Sequence, residues 1–364
     1  MKVLHICNDF NYQKLYINLF KENSKQIDQI VYCGGRNKKI LGRNIDKNIH
    51  NIEYHNPLIV FPIDKINYFG KAFRQFNYIR KNIDLTGIDY IHSHTLLSDG
   101  FIALLIHLFF KIPFLVSVRN TDVNIFFKYK PYLIPLAKKI CRKSKALHFP
   151  ASTVKNKFEK AISRTNDKSF IIPNPIHDFW IQNQAPNPSK FIVGDVFEVC
   201  FVGKIDTNKN VMALVKAIEA LRSNHKINLT IVGKFYSNSL KRKVLKNRFV
   251  NYISHLDSKV DLMKIYRESH LLCLPSKRET FGLVCIEALS QGTPFLMREE
   301  QGLFGMVDSN GWANYFKTDR EIKKTIQTIL LSYDKIKGLY QKIDKFKTSN
   351  ISQDMLGLYQ KNIN

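Results

Sequence analysis

The sequence predicts an α/β protein made of two doubly wound units in tandem. Three observations lead there. Short apolar runs alternate with helix-length segments from the first residues, the alternation breaks off in an Asn-, Gln- and Pro-rich stretch at 182–189, and it then starts again. Such alternation calls for parallel strands joined by crossover helices. A length of 364 residues leaves room for two domains.

In the first unit, strands are expected at 3–7, 29–32, 89–92, 114–118 and 146–149, each a strand-length run of aliphatic, β-branched or aromatic residues. The most apolar stretch, 101–118, is interrupted by His107, Lys111 and Pro113. It falls short of the ~20 uninterrupted apolar residues a membrane span needs and reads as a helix followed by a buried strand. In the second unit, 199–202 is a strand, 211–221 a helix with Val211, Leu214, Val215, Ile218 and Leu221 on one face, and 227–232 the next strand. A strand near 249–253, a helix near 260–267, a strand at 271–274, a helix over 281–291 and a strand at 294–297 follow, with Gly292 as the helix stop. The tail, 321–364, reads as helical. The expected divisions are a domain over 1–180, a domain over 190–340, and a C-terminal helix in 341–364 that packs back toward the first domain. Two such units place the carboxyl ends of two strand sets face to face, and ligands of such sheets bind just outside those ends.

Lys and Arg number 56 against 30 Asp and Glu, a formal net charge of +26 that calls for an anionic partner. Nucleic acid, an anionic membrane surface and a phosphate-rich substrate are the three classes that fit. Basic residues are densest in 128–145 and 241–248, interleaved with apolar ones, which suits amphipathic surface helices better than a disordered tail. The six cysteines show no CxxC and no zinc-finger spacing, so they read as free thiols of a reducing compartment. The first residues turn polar too soon for a signal peptide, and the expected location is cytoplasmic.

The segment 275–294 carries the most chemistry. Its helix is apolar nearly all round, with Glu287 as the only charge. A buried carboxylate needs a specific partner, either a ribose diol or a nearby Lys. Glu279 lies in the preceding loop, and Gly282 lets a ligand approach the first-turn N–H groups of Phe281, Gly282 and Leu283. Those orphan donors and the positive end of the helix dipole suit a phosphate. The second constellation, Gly203-Lys204-Ile205-Asp206-Thr207-Asn208-Lys209, follows the first strand of the second unit. Two ammonium groups there could neutralise a departing diphosphate, or simply be solvated.

Together these segments resemble the retaining GT-B glycosyltransferases of family four (glycosyl transferases group 1), of the type that builds bacterial surface polysaccharides. Glu279 and Glu287 match the family's two-glutamate motif, and Lys204 and Lys209 its basic pair, with Lys204 where an arginine is usual. The resemblance implies the GT-B fold, two Rossmann-like domains facing each other across a deep cleft, with the acceptor on the N-terminal domain and the nucleotide sugar on the C-terminal one. It implies that Glu279 contacts donor-sugar hydroxyls, Glu287 the ribose, Lys204 and Lys209 the diphosphate, and the backbone of Gly203 and of Phe281, Gly282 and Leu283 the phosphates. No cofactor or metal is implied, and no Asp-x-Asp pair or ligand cluster suggests one. The donor is expected to be a nucleotide-diphosphate sugar, with UDP as the first choice. In the N-terminal half the family's Gly-rich loop is replaced by a loop containing Asp9. His94 resembles a cleft-lining residue, and Asn174 the end of the interdomain strand. Where members commonly carry a His-Gly-x-Asp-like sequence, this chain has Arg119 to Asp122, and a guanidinium cannot act as a base. Arg119 is expected to contact an anionic acceptor group, or to be a structural pair, with Asp122 orienting it.

The function that follows is transfer of a hexosyl group, with retention, to a hydroxyl of a glycan or lipid-linked acceptor, the stretch 126–145 docking the N-terminal domain on an anionic membrane. A nucleotide-sugar 2-epimerase would share the architecture but need no acceptor. Nucleic-acid binding by charge alone has no supporting motif.

Overall fold

The computed structural model describes residues 1–162, 168–185, 187, 192, 194–256, 258–307, 310–336 and 341–363. The chain forms two compact units, Met1–Pro175 with Thr348–Asn364, and Ile176–Lys347.

The first unit holds a seven-stranded sheet of β1 (Lys2–Ile6), β2 (Asp28–Tyr32), β3 (Ile52–His55), β4 (Tyr90–Ser93), β5 (Phe114–Ser117), β6 (Ala146–Phe149) and β7 (Ser169–Ile171), in the order β3-β2-β1-β4-β5-β6-β7. Every neighbouring pair is parallel. The five strands expected from apolar runs are the inner ones. The added strands, β3 and β7, are the two edges, half exposed and polar enough to leave no run to read. The strand order reverses between β1 and β4, so the loops after those strands open onto the switch point.

The final helix, Thr348–Ile363, belongs to this unit. Ile351, Met355, Leu356, Leu358 and Tyr359 pack into one core cluster with Val3, Leu19, Ile27 and Tyr90. Ser352 Oγ donates to Asn23 Oδ1 at 2.6 Å, and His92 Nδ1 meets Tyr359 Oη at 2.7 Å.

The second unit holds β8 (Phe197–Val202), β9 (Ile227–Val232), β10 (Val250–Ile253), β11 (Leu271–Leu274), β12 (Phe295–Arg298) and β13 (Ala313–Phe316), ordered β10-β9-β8-β11-β12-β13 and again parallel. The helix Val211–Leu221 has the expected bounds and buries its predicted face. The unit starts before the 182–189 stretch because the helix Asp178–Gln182 already packs here, with Trp180 buried 5.6 Å from the Tyr266 ring. Pro186, Pro188, Ser189 and Lys190 lie outside the described residues. Ala185 N donates to Ser290 O at 2.9 Å, and Asn187 O leaves no room for a Cβ at Gly292. In the tail the helices are Glu321–Leu331 and Thr348–Ile363, with 3-10 turns at Tyr333–Lys335 and Gln341–Phe346; residues 337–340 lie outside the described residues.

All six cysteines are buried free thiols. Among the described residues no helix is long and apolar enough to cross a membrane.

Candidate active site

In the second unit β8 and β11 adjoin where the strand order reverses, so the loops that leave their carboxyl ends run side by side. Lys277 N donates to Asn208 O at 2.8 Å, and Asn208 Nδ2 to Arg278 O at 2.9 Å. Asp206 Oδ1 accepts from the N–H groups of Asn208 and Lys209, both at 3.0 Å, an Asx-type turn that sets the direction of the Lys209 side chain. The Lys209 ammonium then reaches Glu279 Oε2 at 2.6 Å. Ser276 Oγ donates to the same oxygen at 3.0 Å, and Thr280 N to Glu279 Oε1 at 3.1 Å. With the two side chains 21% and 11% exposed, this charge-assisted pair is shielded more than a surface ion pair.

Lys204 does not join it. Its ammonium lies 3.3 Å from Asp206 and 4.3 Å over the Tyr236 ring, with 53% of the side chain exposed. Gly203 has φ +144°, and a Cβ there would meet open space, but its N–H donates to Val232 O at 2.9 Å and so does not face a phosphate as a free donor.

The helix after β11 runs Leu283–Ser290, not 281–291. Gly282 has φ +89°, a left-handed conformation that an α-helix interior excludes, and serves as the N-cap. The free first-turn donors therefore begin at Leu283, and Phe281 is a buried side chain upstream of the helix.

Glu287 projects from this helix, half-buried. Tyr266 Oη donates to its Oε2 at 3.2 Å, and no cation stands within 4 Å among the described residues. Burial pushes its carboxyl up to about 7, against the opposing pull of Tyr266, of Lys259 and of Trp180. The Lys259 ammonium itself lies 3.0 Å from His177 Nε2. The structural alternative for Glu287, a close lysine pair, is absent from the described residues.

In the first unit Arg119 follows β5. Its Nε donates to His94 O at 3.2 Å and its Nη1 to Asn174 Oδ1 at 2.9 Å, with the guanidinium 5.6 Å from the Tyr16 ring centroid. Asp122 does not orient that guanidinium. Its carboxylate is fully buried and accepts from the backbone N–H groups of Arg119, Leu96 and Leu97, so it ties the loop after β4 to the loop after β5. Burial still raises its carboxyl to about 6. Asp9 sits half-buried in the turn after β1, its carbonyl accepting from Tyr12 N and Gln13 N.

His94, expected to line the site, is a core residue. Its ring lies 3.9 Å from that of His92 and against Tyr16 and Phe20, and its Nε2 is 3.1 Å from His5 Nδ1. Only its carbonyl serves the site, by holding Arg119. Its N–H continues the ladder to Ile6 O, which keeps the residue strand-like and aims the ring inward. A chain of bonds runs from Tyr359 Oη through His92, Ser117 and His148 to Ile172 O. Burial lowers all four imidazoles, His5 and His148 to about 3, so these rings are neutral near pH 7. The nitrogens of His5, His92 and His94 lie within 4.8 Å of one another, as metal ligands could. A cation there would displace the His5–His94, His92–Tyr359 or His92–Ser117 bond.

Sequence reasoning missed Ser276, Asn208, Tyr266 and Tyr16. Asp206 and Asn208 form a readable Asx-turn pattern, whereas Tyr266 and Tyr16 carry no local signal and meet Glu287 and Arg119, each within its own unit, only through packing.

Residues 185–346 match the model of "Glycosyl transferases group 1", and residues 23–178 that of "Glycosyltransferase Family 4". An uncharacterized glycosyltransferase of Methanocaldococcus jannaschii is 21% identical over 344 residues, 85% of either chain. Among solved structures, HepE of Anabaena in complex with UDP superposes with a TM-score of 0.74 at 13% identity, over 99% of this chain and 100% of that one. The lipopolysaccharide outer core galactosyltransferase WaaB does so with 0.74 at 15% identity, over 99% of both. With two parallel sheets, a reversal of strand order in each and a family match in each half, the chain belongs to the group 1 glycosyltransferases of GT-B fold.

Proposed function

We propose that this glycosyltransferase moves a hexosyl group from a nucleoside diphosphate sugar, UDP-linked by preference, to a hydroxyl of a glycan or lipid-linked acceptor, with retention, in surface-polysaccharide assembly. The observation that carries the donor half is the Lys209–Glu279 pair, held by Ser276 beside the Gly282-capped helix start. Lys209 is near enough to Glu279 to exchange that partner for a diphosphate, freeing the carboxylate for sugar hydroxyls. The free Leu283 end of the helix supplies donors for phosphate oxygens, and Glu287 accepts from a ribose diol. The exposed Lys204 is free to swing onto the leaving group.

In the reaction the anomeric carbon–oxygen bond breaks and the diphosphate leaves with the electron pair. The acceptor oxygen bonds the same face of the carbon, and its proton passes to the departing phosphate oxygen. No dedicated side-chain base is needed. Arg119, held by Asn174 and the His94 carbonyl, receives an anionic acceptor group; Arg119→Ala with unchanged acceptor KM rejects that role. The galactosyltransferase and UDP-bound neighbours support a UDP-sugar and a polysaccharide product, and the charge of +26 suits a lipid-linked acceptor met on an anionic membrane. The 2-epimerase alternative has less support, since both halves match transferase models.

The test is a thermal-shift panel of UDP, GDP, ADP and CMP against the wild type and Glu287→Ala. One diphosphate stabilising only the wild type supports the donor site and identifies the base. A folded protein stabilised by none rejects it.

A further inference from the structure

The stretch 126–145 is not the surface best suited to lipid. Its helix, Ile134–Lys143, turns Ala137, Ile140 and Cys141 into the core, with Ile140 against the helix Ser98–Phe110 at Gly100, so its apolar face is already used. Tyr129 and Tyr132 are exposed in that stretch, but the larger group of exposed apolar side chains lies elsewhere in the same unit. Ile66 is 79% exposed, Phe69 47%, Phe73 45% and Phe109 69%, all on or beside the helices Tyr68–Asn82 and Ser98–Phe110.

Ring contacts tie the phenylalanines across the two helices, with Ile66 just before the first of them. Phe69 and Phe73 both stand edge-on to Phe101, and Phe109 packs on Phe76. Five large side chains exposed on adjoining turns, Phe110 included, are more than scattered surface hydrophobics and need a cover. Cations border the patch. Arg80 and Lys81, in the last turn of the helix that carries Phe69 and Phe73, line a cavity of about 620 Å³ together with Phe110. The one carboxylate in that cavity, Asp84, accepts from Thr86 N and Thr86 Oγ1, and so is engaged within its own turn.

We infer that this face docks on an anionic lipid bilayer, with Ile66, Phe69, Phe73 and Phe109 entering the acyl boundary and Arg80 and Lys81 receiving lipid phosphates. Aromatic side chains bordered by cations match the two layers of a bilayer surface, apolar below and anionic above. The inference rests on the proposal that the acceptor is lipid-linked, and it places the acceptor-binding unit at the membrane.

The test is co-sedimentation of the full chain with vesicles of phosphatidylcholine alone or with added phosphatidylglycerol, at low and high salt. The wild type is expected to sediment with the anionic vesicles and to be released by salt. Ile66→Ser/Phe109→Ser, at the most exposed positions, should weaken binding at least about tenfold with an unchanged melting temperature. Arg80→Glu/Lys81→Glu should remove the preference for anionic vesicles. Equal binding by the wild type and both variants, or no wild-type binding at low salt, overturns the inference. A wild-type dimer that the serine variant makes monomeric also overturns it, a second copy then being the cover. The same samples run in the UDP thermal-shift assay separate the two readings: a shift without vesicle binding sinks only the docking surface.

Discussion

At the scale of single residues, Glu279 and Glu287 are two carboxylates made different by their surroundings. Glu279 is bonded to Lys209, Ser276 and a backbone N–H, so its replacement removes the partner of a shielded cation. Glu279→Gln should lower kcat at least about a hundredfold, as loss of an electrostatic group in such a site does, while the melting temperature moves by only a few degrees. Steady-state kinetics and a melting curve check it. Glu287 titrates near 7 because burial disfavours its charge. A carboxyl raised above its unfolded value binds an extra proton in the folded state, so stability falls as pH rises from about 4.5 to about 7. Glu287→Gln should lose that fall, becoming more stable relative to the wild type toward pH 8. Diol recognition needs the ionised form, so wild-type UDP affinity should grow toward pH 8, by up to about tenfold per pH unit below 7, and the Gln variant should show no such trend. Titration calorimetry from pH 5.5 to 8 decides between these outcomes.

At the scale of elements, glycines determine where the loops can go. Gly233, with φ +137°, lets the turn after β9 cross Gly203, and an added Cβ would lie 2.0 Å from the Gly203 carbonyl oxygen, which is backbone and cannot give way. Gly233→Ala should cost about 3 kcal/mol and displace the loop that carries Lys204 and Lys209. Gly282→Ala has more space, its nearest contact being Cys285 Sγ at 3.6 Å, but the left-handed backbone alone costs about 1–2 kcal/mol. It should weaken UDP binding more than it lowers stability, because the helix start moves with the strain. Denaturant unfolding beside UDP titration compares the two effects. The sequence predicts the inner strands and the Val211–Leu221 helix because their apolar patterns are continuous; the edge strands β3, β7 and β13 escape notice because half-exposed edges mix polar and apolar residues.

At the scale of the whole molecule, the two units depend on the tail differently. The helix Thr348–Ile363 closes the first unit, and Tyr359 Oη at 2.7 Å from His92 Nδ1 joins it to the bonded chain of His92, Ser117 and His148 on β4, β5 and β6. Tyr359→Phe leaves a buried ring nitrogen without its partner and should cost about 1–3 kcal/mol, read by denaturant unfolding of the first unit. The four histidines are lowered in the folded state, so the unfolded chain binds more protons between about 3 and 6.5. Stability should therefore fall as pH drops below 6.5, by on the order of 1 kcal/mol per pH unit for each histidine that keeps its neutral form.

The amino-acid sequence by itself determined the architecture and which residues form the Lys209–Glu279 and Glu287 cluster proposed to hold the donor. Apolar periodicity records which elements are buried on both faces, and the spacing of Glu279, Gly282 and Glu287 lies within one loop and one helix, where sequence distance fixes spatial order. Tertiary structure alone decided the rest. It sent His94 into the core and assigned Asp122 to backbone N–H groups rather than to the Arg119 guanidinium. It separated Lys204 from Lys209, and it left Phe69 and Phe109 exposed while burying the apolar face of Ile134–Lys143. Each of these depends on which side chains from distant segments compete for the same partner or the same space, and local pattern holds no record of that competition.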